Sequence, residues 1–149
     1  MTESVLIVDD DTSILTALRM ILEGVYEVST ATNGADALTT LGEREPDLVL
    51  LDIGLPDTNG IDLLEEIKRS APNTVVVMAT AVEEARMVVK ALKLGAFDYL
   101  VKPIDAQELK TTLQNGLENR SLKDKIRRIQ KSHARSEEHT SELQSRFGI

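Results

Sequence analysis

Two kinds of apolar pattern alternate along the chain. Val5-Leu6-Ile7-Val8, Leu48-Val49-Leu50-Leu51 and Thr74-Val75-Val76-Val77-Met78-Ala79 are short and nearly uninterrupted. Runs of this kind predict strands buried on both faces, as in a parallel sheet. Val25-Tyr26-Glu27-Val28 is weaker and predicts a strand near a sheet edge, and Ala96 to Val101 predicts a fifth strand. Between them the apolar residues recur at helical spacing. Ile14, Leu15, Leu18, Ile21 and Leu22 form the first stripe, with Gly24 as its stop. Asn33-Gly34 turns the chain into a short helix through Ala37, Leu38 and Leu41, which stops before Pro46. Ile61, Leu64 and Ile67 mark a third helix, ended by Ala71-Pro72-Asn73. Ala85, Val88, Val89 and Leu92 mark a fourth, stopped by Gly95, and Ala106, Leu109, Leu113 and Leu117 a fifth.

Alternation of this kind implies parallel strands joined by right-handed crossovers, with helices on both faces. The expected fold is α/β, a three-layer, doubly wound, five-stranded parallel sheet over about residues 3–118. Its strand ends then share one edge, where open α/β sheets bind ligands. Asp9, Asp10 and Asp11 follow the first strand, Asp52 the third, Thr80 the fourth and Lys102 the fifth. One of the three adjacent acids, or Thr12, is expected to cap the next helix. Clustered carboxylates with oxygen-only ligands suit a hard cation, best Mg²⁺. Asp52 can then act as a carboxylate nucleophile that forms an acyl phosphate. Lys102 offers a point charge and Thr80 a hydroxyl donor to phosphoryl oxygens.

Composition narrows the chemistry. Of 149 residues, 42% are hydrophobic and 28% charged, as in ordinary globular domains. There is no cysteine, which excludes disulfides and thiolate catalysis. The two histidines, His133 and His139, lie near the C-terminus, so histidine triads and His-ligated zinc are excluded from the body. The formal charge of −8 argues against nucleic-acid binding by this domain. No apolar run approaches the ~20 residues that span a membrane, and no basic leader precedes the first strand. A cytoplasmic location is the default expectation.

Val8-Asp9-Asp10, Leu51-Asp52-Ile53-Gly54-Leu55-Pro56, Ala79-Thr80-Ala81 and Gly95-Ala96-Phe97-Asp98-Tyr99-Leu100-Val101-Lys102-Pro103 resemble, in order and spacing, the receiver domains of two-component response regulators. The resemblance implies a flavodoxin-like strand order 2-1-3-4-5, with a crevice between strands one and three. It implies that Asp52 accepts phosphate from a sensor histidine kinase or phosphotransfer protein. Asp10 matches the direct Mg²⁺ ligand, Asp9 a ligand through water, and the Gly54 backbone carbonyl the third protein ligand. Thr80 and Lys102 match the phosphate-binding pair, Tyr99 the aromatic switch, and Lys102-Pro103 a cis peptide. The chain is thus expected to be a signalling switch, an enzyme only toward its own phosphorylation and dephosphorylation. Its output is either that of a larger transcription regulator whose N-terminal part this is, or that of a stand-alone protein-binding adaptor. A phosphorylation-dependent homodimer through helix four, strand five and helix five is a further expectation. Two positions depart from the pattern: Gly54 and Val82, where the family tunes acyl-phosphate hydrolysis, offer no side-chain group to hold a water.

Rival classes fail on particular residues. A haloacid-dehalogenase-type phosphatase needs an acid where Gly54 stands. A flavin carrier needs a phosphate loop where three acids stand. Phosphate-loop and Rossmann glycine patterns are missing.

Past residue 118 the composition shifts. Lys123, Lys125, Arg127, Arg128 and Lys131 cluster around a short seam of Leu122, Ile126 and Ile129. A basic helical connector over 119–134 and a solvated tail are both open readings, and the connector is the one adopted. Residues 135–145 resemble translated sequencing-adapter read-through. The stretch 135–149 is expected to be disordered and is set apart from the fold.

Overall fold

A computed structural model describes residues 2–81 and 85–136. Val82 and residues 137–149, on which two of the expectations bear, lie outside the described residues. The apolar runs become the inner strands β1 (Ser4–Val8), β3 (Leu48–Asp52) and β4 (Val75–Thr80). Every residue of β3 and β4 is buried. The edge strands are β2 (Glu27–Ala31) and β5 (Asp98–Val101), both partly exposed. The sheet is parallel throughout, in the order β2-β1-β3-β4-β5.

The helices are α1 (Thr12–Leu22), α2 (Gly34–Glu43), α3 (Gly60–Ser70), α4 (Ala85–Lys93) and α5 (Ala106–Ser136). Strand alternation sends successive side chains to opposite faces. Val5, Ile7, Leu48, Leu50, Val75 and Val77 meet α1 and α5 through Leu15, Leu18, Leu109 and Leu113. Leu6, Val8, Val49, Leu51, Val76 and Met78 meet α2, α3 and α4 through Ala37, Leu41, Leu64 and Ala91. Two separate cores thus sandwich one sheet, which fixes its carboxyl edge in place.

Local chemistry sets the helix starts. Asp11 caps α1, accepting from the Ser13 and Ile14 N–H groups at 2.9 and 3.3 Å. Asn33 caps α2 and Asn59 caps α3. Gly24 and Gly95 follow α1 and α4 with φ of +90° and +110°, conformations that only glycine adopts without strain.

Two strand boundaries differ from the expectation. β2 begins at Glu27, because the N–H groups of Val25 and Tyr26 both bond the Leu22 carbonyl and belong to the turn. Its remaining residues include Ser29 and Thr30, polar positions that an edge strand tolerates and an apolar pattern misses. β5 begins at Asp98, two residues later than the apolar run.

The chain forms two compact units, Met1–Leu117 and Glu118–Ile149. In the second, the described residues are helical, and Leu122, Ile126 and Ile129 are each more than half exposed. Among the described residues, no helix is long and apolar enough to cross a membrane.

Candidate functional site

A charged residue ends β3 (Asp52) and directly follows β1 (Asp9) and β5 (Lys102), and the strand registers bring these positions together. Val8 pairs with Leu51, so Asp9 and Asp52 lie level on adjacent strands. The ladder continues past the strand ends: Asp9 N–H donates to Ala31, Ile53 N–H to Ala79 and Lys102 N–H to Thr80. Alternation therefore persists one residue further and sends Asp9, Asp52 and Lys102 to the α1/α5 side. Asp52 lies level with Ala79 on β4, a side chain small enough for the Lys102 stem to pass.

Carboxylate oxygens of Asp9, Asp10 and Asp52 lie within 4.8 Å of one another. Lys102 Nζ reaches Asp9 Oδ2 at 2.8 Å and Asp52 Oδ1 at 3.1 Å. Asp9 and Asp52 are buried, whereas Asp10 is exposed. Burial raises the Asp52 carboxyl above its ordinary value, and the neighbouring Asp9 charge raises it further; Lys102 and the Gly54 N–H oppose this. Burial pulls the Lys102 ammonium down, but the hydrogen bond to Asp9 and the charges of both acids outweigh it, leaving the pKa raised. The asymmetry has a simple cause. Lys102 faces two carboxylates, while Asp52 faces one ammonium and a second acid.

The set is oxygen-only and rich in charge, with one ammonium among three acids. That donor chemistry fits a hard divalent cation such as Mg²⁺. Asp11, the third acid in sequence, is spent on the α1 cap, and its N–H donates to Asp9 Oδ1 at 2.9 Å. Gly54 follows Asp52 by two residues and donates its N–H to Asp52 Oδ1 at 3.4 Å.

Thr80 and Tyr99 sit elsewhere. Thr80 pairs with Val101 and Met78 with Tyr99, so both side chains share the α2–α4 side of the sheet. The buried Thr80 hydroxyl donates to the Ala81 carbonyl at 3.0 Å. Tyr99 is 40% exposed. The Lys102-Pro103 peptide is cis.

One residue of this edge escaped the sequence reading. Asp57, in the loop after β3, accepts from the N–H groups of Gly34 and Ala35 at 2.8 and 3.0 Å. These bonds hold its carboxyl below the usual range. A carboxylate after Leu55-Pro56 signals only a turn, and nothing local shows that α2 starts beside it.

A family model described as "Response regulator receiver domain" matches residues 5–114. The chain is similar to the regulatory protein AtoC of Escherichia coli (strain K12), 38% identical over 127 residues, or 84% of this chain and 27% of that protein. It is similar to the chemotaxis protein CheY of Thermotoga maritima, 41% identical over 105 residues, or 69% of this chain and 88% of that one. A crystal structure of NtrX from Brucella abortus superposes with a TM-score of 0.83 at 33% identity, covering 87% of this chain and 30% of that one. The chain spans about a quarter of the length of the first curated relatives it matches.

Proposed function

The chain belongs to the response regulator receiver domain family, and from that premise we propose how its own residues operate the switch. As a receiver it is a phosphorylation-operated signalling element of a two-component system. Asp52 is the phosphoacceptor, and a partner histidine kinase or phosphotransfer protein supplies the phosphoryl group. The observation that carries this reading is the buried Asp52 carboxylate held at 3.1 Å from Lys102 and within 4.8 Å of two further acids.

Asp10 and Asp9, with Asp52 and the Gly54 carbonyl, would hold Mg²⁺. When bound, the cation supplies charge neutralisation between carboxylates and phosphoryl oxygens. An Asp52 oxygen forms the new bond to phosphorus as the bond to the donor's nitrogen breaks. Lys102 leaves its carboxylates for a phosphoryl oxygen, which adds charge of about −1.5 to −2. Thr80 gives up the Ala81 carbonyl for another, and Tyr99, diagonal to it on the same face, turns inward into the space vacated. Hydrolysis of the acyl phosphate resets the switch, so the chain acts catalytically on itself alone.

The first 118 residues act as the receiver and 119–134 as a basic helical connector. Similarity to the transcriptional regulatory protein ZraR of Klebsiella oxytoca, 42% identical and matched over 27% of its length, favours a larger transcription regulator over a stand-alone adaptor. The proposed setting is the cytoplasm, where the kinase delivers phosphate. Incubation with acetyl phosphate and Mg²⁺ should add one phosphoryl mass to the wild type and none to Asp52→Asn. Full labelling of that variant would overturn the assignment.

A further inference from the structure

The loop between β3 and α3 carries Gly54, and its two ends are fixed at one place. Ile53 N–H donates to Ala79, Gly60 N–H returns to the Ile53 carbonyl at 2.8 Å, and Gly54 bridges Asn59. The tip between them is held differently. One side of the loop faces an open cleft, lined by the loop itself and by Met87 of α4. On the other side Asp57 takes the first two N–H groups of α2, across 23 and 22 residues of sequence. This contact has a steric signature. A Cβ at Gly34 would stand 2.5 Å from Thr58 Cγ2 and 3.4 Å from Asp57 Oδ1, so a side chain at position 34 would have to displace the Thr58 methyl at the loop tip. Asp57 is exposed, and the α2 start already has its own cap in Asn33. That cap takes the Asp36 N–H, and Asp57 takes the Gly34 and Ala35 N–H groups it leaves over. Because their acceptor sits in the loop, the same two bonds tie the loop tip to the helix.

We propose that Asp57 is a positioning residue of the cation site: by tying the loop tip to the start of α2, it sets where the Gly54 carbonyl points. The inference rests on the reading of Gly54 as a ligand given above. Groups that orient a metal ligand without touching the metal commonly change affinity about 10-fold or more when removed. The exposed position of Asp57 places it at the lower end, about 10-fold.

The test titrates Mg²⁺ alone into the full chain, following backbone amide signals by NMR. Asp57→Ala should weaken Mg²⁺ about 10-fold. In the metal-free protein it should also displace the Gly54 amide signal. Asp57→Asn loses the same charge but keeps one acceptor oxygen, so its loss should be clearly smaller. Gly34→Ala keeps every charge and pushes against Thr58, so it too should weaken Mg²⁺, and it carries the test if the Asp57 variants fold poorly. Equal losses in Asp57→Ala and Asp57→Asn, with none in Gly34→Ala, would reduce the effect to long-range charge and overturn the proposal. Unchanged affinity in all three would overturn it as well. A wild-type chain that does not respond to Mg²⁺ would instead overturn the ligand reading beneath it, and the proposal with it.

Discussion

At the scale of single residues, the charged edge is costly until something binds there. Asp52 has a carboxyl pKa raised by burial and by Asp9. A carboxyl that is easier to protonate in the folded state contributes stability below its unfolded value of about 3.9, and that contribution is lost as pH rises through the folded pKa. Asp52→Asn should therefore match the wild type at low pH and exceed it at neutral pH. With the metal removed, a Tm about 2–4 °C higher at pH 7 is expected. A lower Tm for the variant would mean that the Lys102 pairing outweighs burial and Asp9 repulsion. Asp57 has the opposite sign: its lowered pKa supports the fold above the ordinary carboxyl range, and that support fades as pH falls. On the reading proposed above, Gly54 bears on the lifetime of the acyl phosphate. A Cβ there meets nothing within 4 Å, so a side chain can leave the backbone at position 54 without a clash at Cβ. Orienting the attacking water should accelerate loss of phosphate, and Gly54→Asn is expected to shorten the acyl-phosphate lifetime about 10-fold. An unchanged decay after the phosphodonor is removed would release position 54 from that role.

At the scale of elements, close backbone approach at the β3–α3 corner is the most exacting feature. A Cβ on Gly60 would come within 2.6 Å of the Asp52 carbonyl and of Ile53 Cα. Neither atom can swing aside, so Gly60→Ala should cost about 1–3 kcal/mol. It should also slow phosphate uptake, because the strain lands on the backbone of Asp52 itself and of Ile53. Chemical denaturation and acetyl phosphate labelling check the two halves separately, and a variant as stable as wild type would show that the corner yields. The sequence made Asn59-Gly60 legible as a turn, but not why glycine is required, since the contact is with backbone eight residues upstream. The same limit explains β2. Val25 and Tyr26 carry a strand's composition, yet the Leu22 carbonyl claims their N–H groups, while Ser29 and Thr30 enter the sheet through pairing with β1. Inner strands were legible because burial on both faces leaves an unbroken apolar signal, as in Leu48 to Leu51. Asp9, Asp52 and Lys102 were legible because parallel strand ends share an edge. Asp57 was not, because its partners are backbone groups of another element.

At the scale of the whole chain, the acidic body contrasts with a basic second unit. Leu122, Ile126 and Ile129 form a seam too short to hold two helices together alone. Five basic residues around it repel a parallel partner until salt screens them. Val89, Leu92, Tyr99 and Val101 add exposed apolar area on α4 and β5. Sedimentation of the full chain should show dimer only with beryllofluoride present and at raised salt, and monomer otherwise. A monomer under every condition would exclude the seam as a dimer contact. The alternation of side chains across the sheet carries a consequence for how far one event spreads. Asp9, Asp52 and Lys102 share one face with α1 and α5, and Thr80 and Tyr99 share the other with α2, α3 and α4. On the reading proposed above, Lys102 and Thr80 reach the same phosphoryl group from opposite faces, so a single covalent bond would be felt in both layers at once.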